Sequence, residues 1–494
     1  MRTSDTGKFT YQDFVQKVRH YRTSDVIRAL ASIPTDHFQP GTPMSTWRAV
    51  NPWATSAIAR EALICGNEHR APHDLSISEI EELFLAFSWA YDEGEDASGD
   101  VALNIITRHA YEQFSSQESV FEELSRAAIL FQGGIDGDHK IVCDEVERAL
   151  GFKIEDAISA AIVIFGSTSN SPWCWTPETL LEENLNGLFD FVSKETIIKF
   201  GEMLTCDQNG FREKYVKAMP NSRQGKHLVT NRWGFNPVSI YPLIRIVSGE
   251  VLAVQRWLIP RRLSPQFLYY DAIDKGDQAF TSALGNVVET YIGKLLGSVH
   301  GAHLFDKFKY YEKKEELESI DWFLELPSCI VYVESKSARL TLSARMADES
   351  LVSNLKRDLG KAFKQLNNTY EVIHGDLEKY SGYSLGKPII GLVVTPEPIY
   401  SGNSRELRKY LPDTKMNILV ASLRDLEGMT TMPAQDLGDQ LMEIANDPEK
   451  STWVLSSALK RSEPKTSNPI LEQAARLLPI FRWNPVTGNG LEST

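Results

Sequence analysis

Apolar and polar residues alternate along this chain in two distinct rhythms. In residues 1–221, apolar positions recur at helical spacing. They do so in SISEIEELFLAFSWAY (76–91), VALNIITRHAYEQF (101–114), VFEELSRAAILFQ (120–132), EDAISAAIVIF (155–165) and KETIIKFGEML (194–204). GGIDGDHK (133–140) and GSTSNSPW (166–173) read as the turns between them. No fixed-period repeat marks a solenoid. The rhythm changes across AMPNSRQGKHLVTNRWGFNP (218–237). Short runs rich in β-branched and aromatic residues follow, VSIYPLIRIV (238–247) and VLAVQRWLI (251–259), with Gly249-Glu250 suited to a hairpin turn.

The later order predicts a covered sheet. A helix is expected over 278–297, a strand near 303–310, a charged turn at EKKEELE (312–318), and strands at IDWFLEL (320–326) and CIVYVES (329–335). A long helix follows over 349–373, then apolar strands at PIIGLVVT (388–395) and MNILVAS (416–422), and a late helix at ILEQAARLL (470–478). Strands apolar on both faces need helices on both sides. The expected architecture is therefore α+β in two parts. An all-helical domain covers 1–221, a mixed α/β sandwich covers 222–430, and a helical or irregular extension covers 431–494. The first part would target, regulate or pair the second.

Length and composition agree. At 494 residues the chain exceeds one ordinary core. The net charge of −14 argues against a generally basic surface but leaves room for a local cationic groove. Cys65, Cys143, Cys174, Cys206 and Cys329 are odd in number, and no pair has CxxC spacing, so reduced thiols are expected rather than a disulfide frame or a zinc site. The N-terminus has no apolar signal segment and no run is long enough to cross a bilayer, so a cytoplasmic protein with no membrane partner is expected.

The candidate chemistry lies in SIDWFLELPSCIVYVESKSARL (319–340). Side chains alternate along a strand, which puts Glu334 and Lys336 on one face. If the segment turns at Pro327-Ser328, Leu326 meets Cys329 and, counting outward, Asp321 meets Glu334. Opposed carboxylates repel, and a divalent cation resolves the repulsion. Hard oxygen donors suit Mg²⁺ or Mn²⁺. Such an ion with Lys336 beside it can support phosphodiester hydrolysis. The (D/E)xK spacing alone is uninformative, since Glu312-Lys313-Lys314, Asp138-His139-Lys140, Asp413-Thr414-Lys415 and Glu463-Pro464-Lys465 share it. Those four fall in apparent turns or charge runs. Only Glu334-Ser335-Lys336 ends an apolar strand with an acid in register.

A helix with Glu289, a hairpin with Asp321 and Glu334-Ser335-Lys336, and a helix with Gln365 together resemble the PD-(D/E)XK nuclease superfamily over roughly residues 240–425. Ile320 stands where the motif's proline would be. The resemblance implies a restriction-endonuclease-like fold and Mg²⁺-dependent hydrolysis of nucleic acid, DNA in preference to RNA. It implies metal ligands at Asp321, Glu334, the carbonyl of Ser335 and Glu289, with Lys336 and Gln365 completing the catalytic set. Prokaryotic defence or restriction is the setting it suggests by analogy. A non-catalytic binding scaffold on the same fold is the alternative.

Arg357, Lys361 and Lys364 make a basic stripe opposite Val352, Leu355, Leu359, Phe363 and Leu366, and Arg339 and Arg345 follow the catalytic strand. These five cations are candidate phosphate contacts. A homodimer or a protein partner held through the helical part is the further expectation, since both strands of a duplex need a site. His300, His303 and Asp306 fall at a turn and are a weak metal candidate. The tryptophans of SPWCW (171–175) read as a packed loop, and no Walker loop is present.

Overall fold

The computed structural model describes residues 9–33, 52–91, 101–113, 119–132, 137–168, 172–181, 185, 187–219, 223–224, 227–228, 230–273, 278–312, 314–336, 339, 350–376, 378–383, 386–460 and 467–483. Helices pack with mixed sheets, and none of the described helices is long and apolar enough to cross a membrane.

The described helices of the first half include the five that the periodicity predicts and others it does not single out, and their apolar stripes have partners. They are α1 (Tyr11–Val18), α2 (Thr23–Leu30), α3 (Pro52–Cys65), α4 (Ile77–Trp89) and α5 (Val101–Gln113). Next come α6 (Val120–Phe131), α7 (Gly137–Leu150), α8 (Ile154–Ser167), α9 (Lys194–Leu204) and α10 (Gln208–Ala218). Ser76 and Glu79 close a capping box on α4, and Ser119 and Ser193 cap α6 and α9. The turn expected at 133–140 gives way to helix from Gly137, where the backbone takes a positive φ of 57° that glycine tolerates.

Packing does not break at 221/222, and the first part is not all helix. Strand β1 (Thr205–Asp207) lies within it. The short strands β2 (Arg223–Gln224) and β3 (His227–Leu228) straddle the expected boundary region, and β4 (Leu243–Arg245) and β5 (Val251–Ala253) form the expected hairpin. β1 pairs in parallel with β4, setting Cys206 opposite Ile244. One core joins Phe14, Ile58 and Phe84 to Phe211, Val238 and Leu252. A second joins Leu124, Ile158 and Phe200 to Leu284, Val331 and Leu392. Arg126 of α6 is bidentate to Glu427 at 2.7 and 2.5 Å, across the same expected boundary. The periodicity of each helix marks its own apolar face but not which partner covers it: α9 packs on α8 within the first half, whereas α6 meets the helix Pro469–Leu477 and α8 also meets the helix Leu258–Arg261, both in the later half. Trp173 and Trp175 are buried, as a packed loop requires.

After α11 (Leu258–Arg261) and α12 (Pro265–Ile273), α13 (Gln278–Gly297) leads into strands β6 (His303–Asp306), β7 (Lys309–Glu312), β8 (Glu315–Glu318), β9 (Trp322–Glu325) and β10 (Ile330–Ser335). The charged turn expected at 312–318 is largely strand. β7 and β8 form an antiparallel hairpin in which Lys309 meets Glu318. Lys309 and Tyr311 both reach Glu316, so cross-strand charge and hydrogen bonding hold a segment with little apolar content.

α14 (Ser350–Gly375) crosses to β11 (Ile389–Thr395) and β12 (Asn417–Ser422), and the sheet runs β12-β11-β10-β9-β6. β10, β11 and β12 are parallel, whereas β9 is antiparallel to both its neighbours. Alternation assigns the two faces. Val331, Val333, Leu392 and Leu419 join the core that holds α13. Ile330, Tyr332, Val393 and Ile418 join Leu355, Leu359, Phe363 and Leu366 of α14. Residues 431–494 are not a mere extension. The helix Ala434–Asn446 contributes Leu437, Leu441 and Ile444 to the α13-side core. A Cβ at Gly438 would stand 2.4 Å from Ser328 Oγ, so glycine lets that helix close on the β9–β10 turn.

Candidate active site

The hairpin register brings the expected residues together. Val333 pairs with Trp322 and Ile330 with Glu325, and the Leu326 amide donates to the Cys329 carbonyl at 2.9 Å. Counting one step past Val333 and Trp322 brings Glu334 opposite Asp321. Both share the face of Tyr332 and Phe323, the face that α14 covers. Asp321 lies just before β9, and its Oδ2 accepts from the Ser335 amide at 2.7 Å.

Two polar groups on α14 fix the approach to Asp321. Thr369 Oγ1 accepts from the Ile320 amide at 3.1 Å, and Gln365 Nε2 donates to the Ser319 carbonyl at 3.3 Å. One helical turn separates them, so both meet the same short segment. Gln365 also accepts from Lys336 Nζ at 3.2 Å through its Oε1, while the ammonium donates to Glu334. Lys336 keeps 24% of its side chain exposed, against 1% for Glu334, so the ammonium stands between the buried acid and solvent.

Electrostatics marks the pair as strained. Burial, helped by the neighbouring charge of Asp321, pushes Glu334 up to about 8 despite its contact with Lys336. Burial also raises Asp321 to about 6, against the lowering effect of the Ser335 amide. Glu334 Oε2 is buried with no hydrogen-bond partner among the described residues. An unpartnered carboxylate oxygen away from water is costly. The buried Oε2 and the converging acids fit a divalent cation. Among the described residues, no three His, Cys, Asp or Glu side chains are grouped to hold a metal. A two-carboxylate set is nevertheless what Mg²⁺ commonly takes, since it keeps several of its waters.

Glu289 on α13 is close enough to raise Asp321 and Glu334, yet its own partner is Lys307 at 3.2 Å. Lys307 also meets Glu318 at 3.4 Å. Sequence reasoning missed Lys307 and Thr369. A lone lysine between two short strands carries no pattern, and a threonine on a helix reads as a flank residue. Gly293 was missed as well. A Cβ there would stand 2.5 Å from the Trp322 indole, so glycine lets α13 approach β9 closely enough to bring Glu289 to the sheet end. Tyr370 stacks on His374, with ring centroids 3.8 Å apart.

The basic residues divide. Lys361 and Lys364 are exposed on α14. Arg357 is exposed too, but Asp358 engages its guanidinium at 2.7 and 2.9 Å. Arg339 is not a surface phosphate contact. Its side chain is 3% exposed, paired with Glu397 at 3.2 Å and stacked on Tyr269. Arg345 lies outside the described residues. His303 stands opposite Glu325 in the sheet, and His300, His303 and Asp306 do not form a metal-holding group among the described residues. Comparison of the chain with family models, with curated proteins and with solved structures found no match.

Proposed function

We propose that the chain is a divalent-metal-dependent nuclease of restriction-endonuclease-like fold, acting through Asp321, Glu334 and Lys336. The observation that carries this reading is the acid pair at the carboxyl end of β10, in which Glu334 is buried, one of its oxygens has no partner among the described residues, and an ammonium stands beside it. A five-stranded mixed sheet with helices on both faces supports it, because ligands favour the carboxyl ends of parallel strands.

Asp321 and Glu334 would hold the cation, with the carbonyl of Ser335 as the further donor that the resemblance supplies. Mg²⁺ or Mn²⁺ held there would supply Lewis-acid chemistry, polarisation of the phosphodiester and activation of water at neutral pH. The protein's own residues do the rest. The Ser335 amide and the clamp from Gln365 and Thr369 orient Asp321. Lys336 faces the developing charge on the phosphate and can hand over or accept a proton. Lys361 and Lys364 steer the nucleic-acid backbone. DNA is the favoured substrate, and cleavage of foreign DNA in a prokaryotic cell is the setting that the resemblance suggests.

Incubation of the full chain with plasmid, linear duplex, single-stranded DNA and RNA tests the reading, each with Mg²⁺, Mn²⁺ or EDTA. Metal-dependent cleavage of at least one substrate is expected. Binding without cleavage in every metal condition would favour the scaffold alternative.

A further inference from the structure

A second feature has no part in the hairpin chemistry. A cavity of about 500 Å³ opens between the helical half and the carboxyl ends of β11 and β12. That volume suits a ligand of drug or nucleotide size. Its wall includes Pro396, Glu397 and Pro398, directly after β11, and Arg424, in the helix that follows β12. Helix α5 contributes Arg108 and Tyr111, and the Tyr111 hydroxyl donates to the Pro398 carbonyl at 2.7 Å.

The lining is cationic in a chain that is otherwise strongly acidic. Arg60, Arg108, Arg126, Arg232, Arg261 and Arg424 reach it, against the acids Glu123, Asp271 and Glu397. Arg60 is itself paired with the buried Glu61 and Arg126 with Glu427, acids that lie behind the wall; with these and the outlying Arg262 and Arg339 included, eight arginines less five acids leave a formal excess of three positive charges. Each acid is itself engaged by an arginine: Glu123 by Arg261 at 3.1 Å, Asp271 by Arg262 at 2.7 Å and Glu397 by Arg339 at 3.2 Å. Arg262 and Arg339 are not lining residues, so they offset acids of the wall from outside it.

Aromatic rings share this wall, among them Trp53, Trp233, Phe267 and Tyr270. The Trp233 ring carries the guanidinium groups of Arg232 at 5.0 Å and Arg108 at 5.9 Å, and its buried indole N–H has no hydrogen-bond partner among the described residues. Arginine forks bind phosphate oxygens, whereas flat rings and guanidinium planes stack on bases. Phosphate alone would need the arginines but not the rings. An apolar ligand would need the rings but not the arginines.

We propose that this cavity is a binding site for a small nucleotide ligand carrying phosphate and base together, separate from the Asp321–Glu334–Lys336 site. The proposal does not depend on the nuclease reading. Glu397 connects the cavity wall to Arg339, which follows Lys336 in the segment after β10.

Titration calorimetry on the full chain in EDTA tests it. The probes are the four ribonucleoside triphosphates and linear and cyclic dinucleotides, with pyrophosphate and adenosine as half-ligands. At least one nucleotide binds saturably, and both half-ligands bind it at least about tenfold more weakly. Arg108→Ala and Arg424→Ala each weaken binding by about tenfold or more, the usual scale for a lost charge-assisted contact. Lys336→Ala binds as the parent does. Trp233→Phe, which keeps a ring but removes the indole N–H, retains most of the affinity. The proposal is overturned if no nucleotide binds at about 1 mM, if pyrophosphate binds as tightly as the best nucleotide, if both arginine variants bind like the parent, or if Lys336→Ala abolishes binding.

Discussion

The backbone amide of Ser335 donates to Asp321 Oδ2 at 2.7 Å, joining the two strands of the hairpin where its acids converge. This bond settles which way one carboxylate points. The clamp from α14 settles where its backbone lies, because Thr369 accepts from the Ile320 amide.

Thr369→Val removes that acceptor and leaves the buried Ile320 amide unpaired. Residues that orient metal ligands typically contribute roughly 10- to 100-fold to metal affinity or activity. A fall of that size in kcat is expected with KM nearly unchanged, and Thr369→Ser should restore it. Steady-state kinetics on the three proteins checks this, and parent-like kcat in the valine variant would remove Thr369 from the account.

The pH dependence of stability follows from Glu334. Its folded value of about 8 is above the ordinary 4.5, so the folded chain holds more protons than the unfolded chain between these values. Its contribution to metal-free stability is therefore complete below about 4.5 and is lost as pH rises through about 8. Glu334→Gln cannot lose a proton there. In EDTA the variant should gain on the parent as pH rises from 5 to 9, by on the order of a few kcal/mol. Mg²⁺ should raise the melting temperature of the parent and have much less effect on the variant, because a ligand stabilises only the state that binds it. Denaturant melts across this range, with and without Mg²⁺, provide the check. A parent and variant that track each other would argue against a buried, strained acid.

Lys361 and Lys364 are exposed on α14, and the proposed function assigns them to the phosphate backbone. Reversing both charges should lower the slope of log affinity against log salt by about 2 for duplex DNA. Fluorescence anisotropy in EDTA measures it. An unchanged slope would leave the two lysines as a solvated face.

A chain of residues 222–494 alone is not expected to fold. It lacks β1, the partner of β4, and the helices that fill the core beneath α13. It also strands Glu427, which loses Arg126 and keeps the Tyr291 hydroxyl at 2.9 Å. Breaking a buried pair by removing one partner costs roughly 3–5 kcal/mol by itself. Circular dichroism should show no cooperative melt, and a cooperative melt like the parent's would restore the boundary at 221/222.

Much of this arrangement was legible from local pattern. Strand alternation and the Pro327-Ser328 turn were enough to pair Asp321 with Glu334, because hairpin register depends on neighbours in sequence. Helix α14 and its apolar stripe were equally plain. The failures share a cause. Whether α6 packs within its own half or against α13, whether Arg339 faces solvent or Glu397, and whether Lys307 reaches Glu289 are all matters of long-range contact. Arg339 is the sharpest case, since an arginine after a catalytic strand reads as a phosphate contact until its buried partner is known.

The central claim is tested most directly by cleavage of supercoiled plasmid in Mg²⁺ by the parent, Asp321→Asn and Lys336→Ala proteins, each first shown to be folded. The parent should nick or linearise the plasmid, EDTA should stop it, and each variant should be slower by roughly 100-fold or more, as expected when an essential charge-stabilising group is lost. Parent-like cleavage by the folded Asp321→Asn protein, or cleavage by the parent that persists in EDTA, would contradict the account.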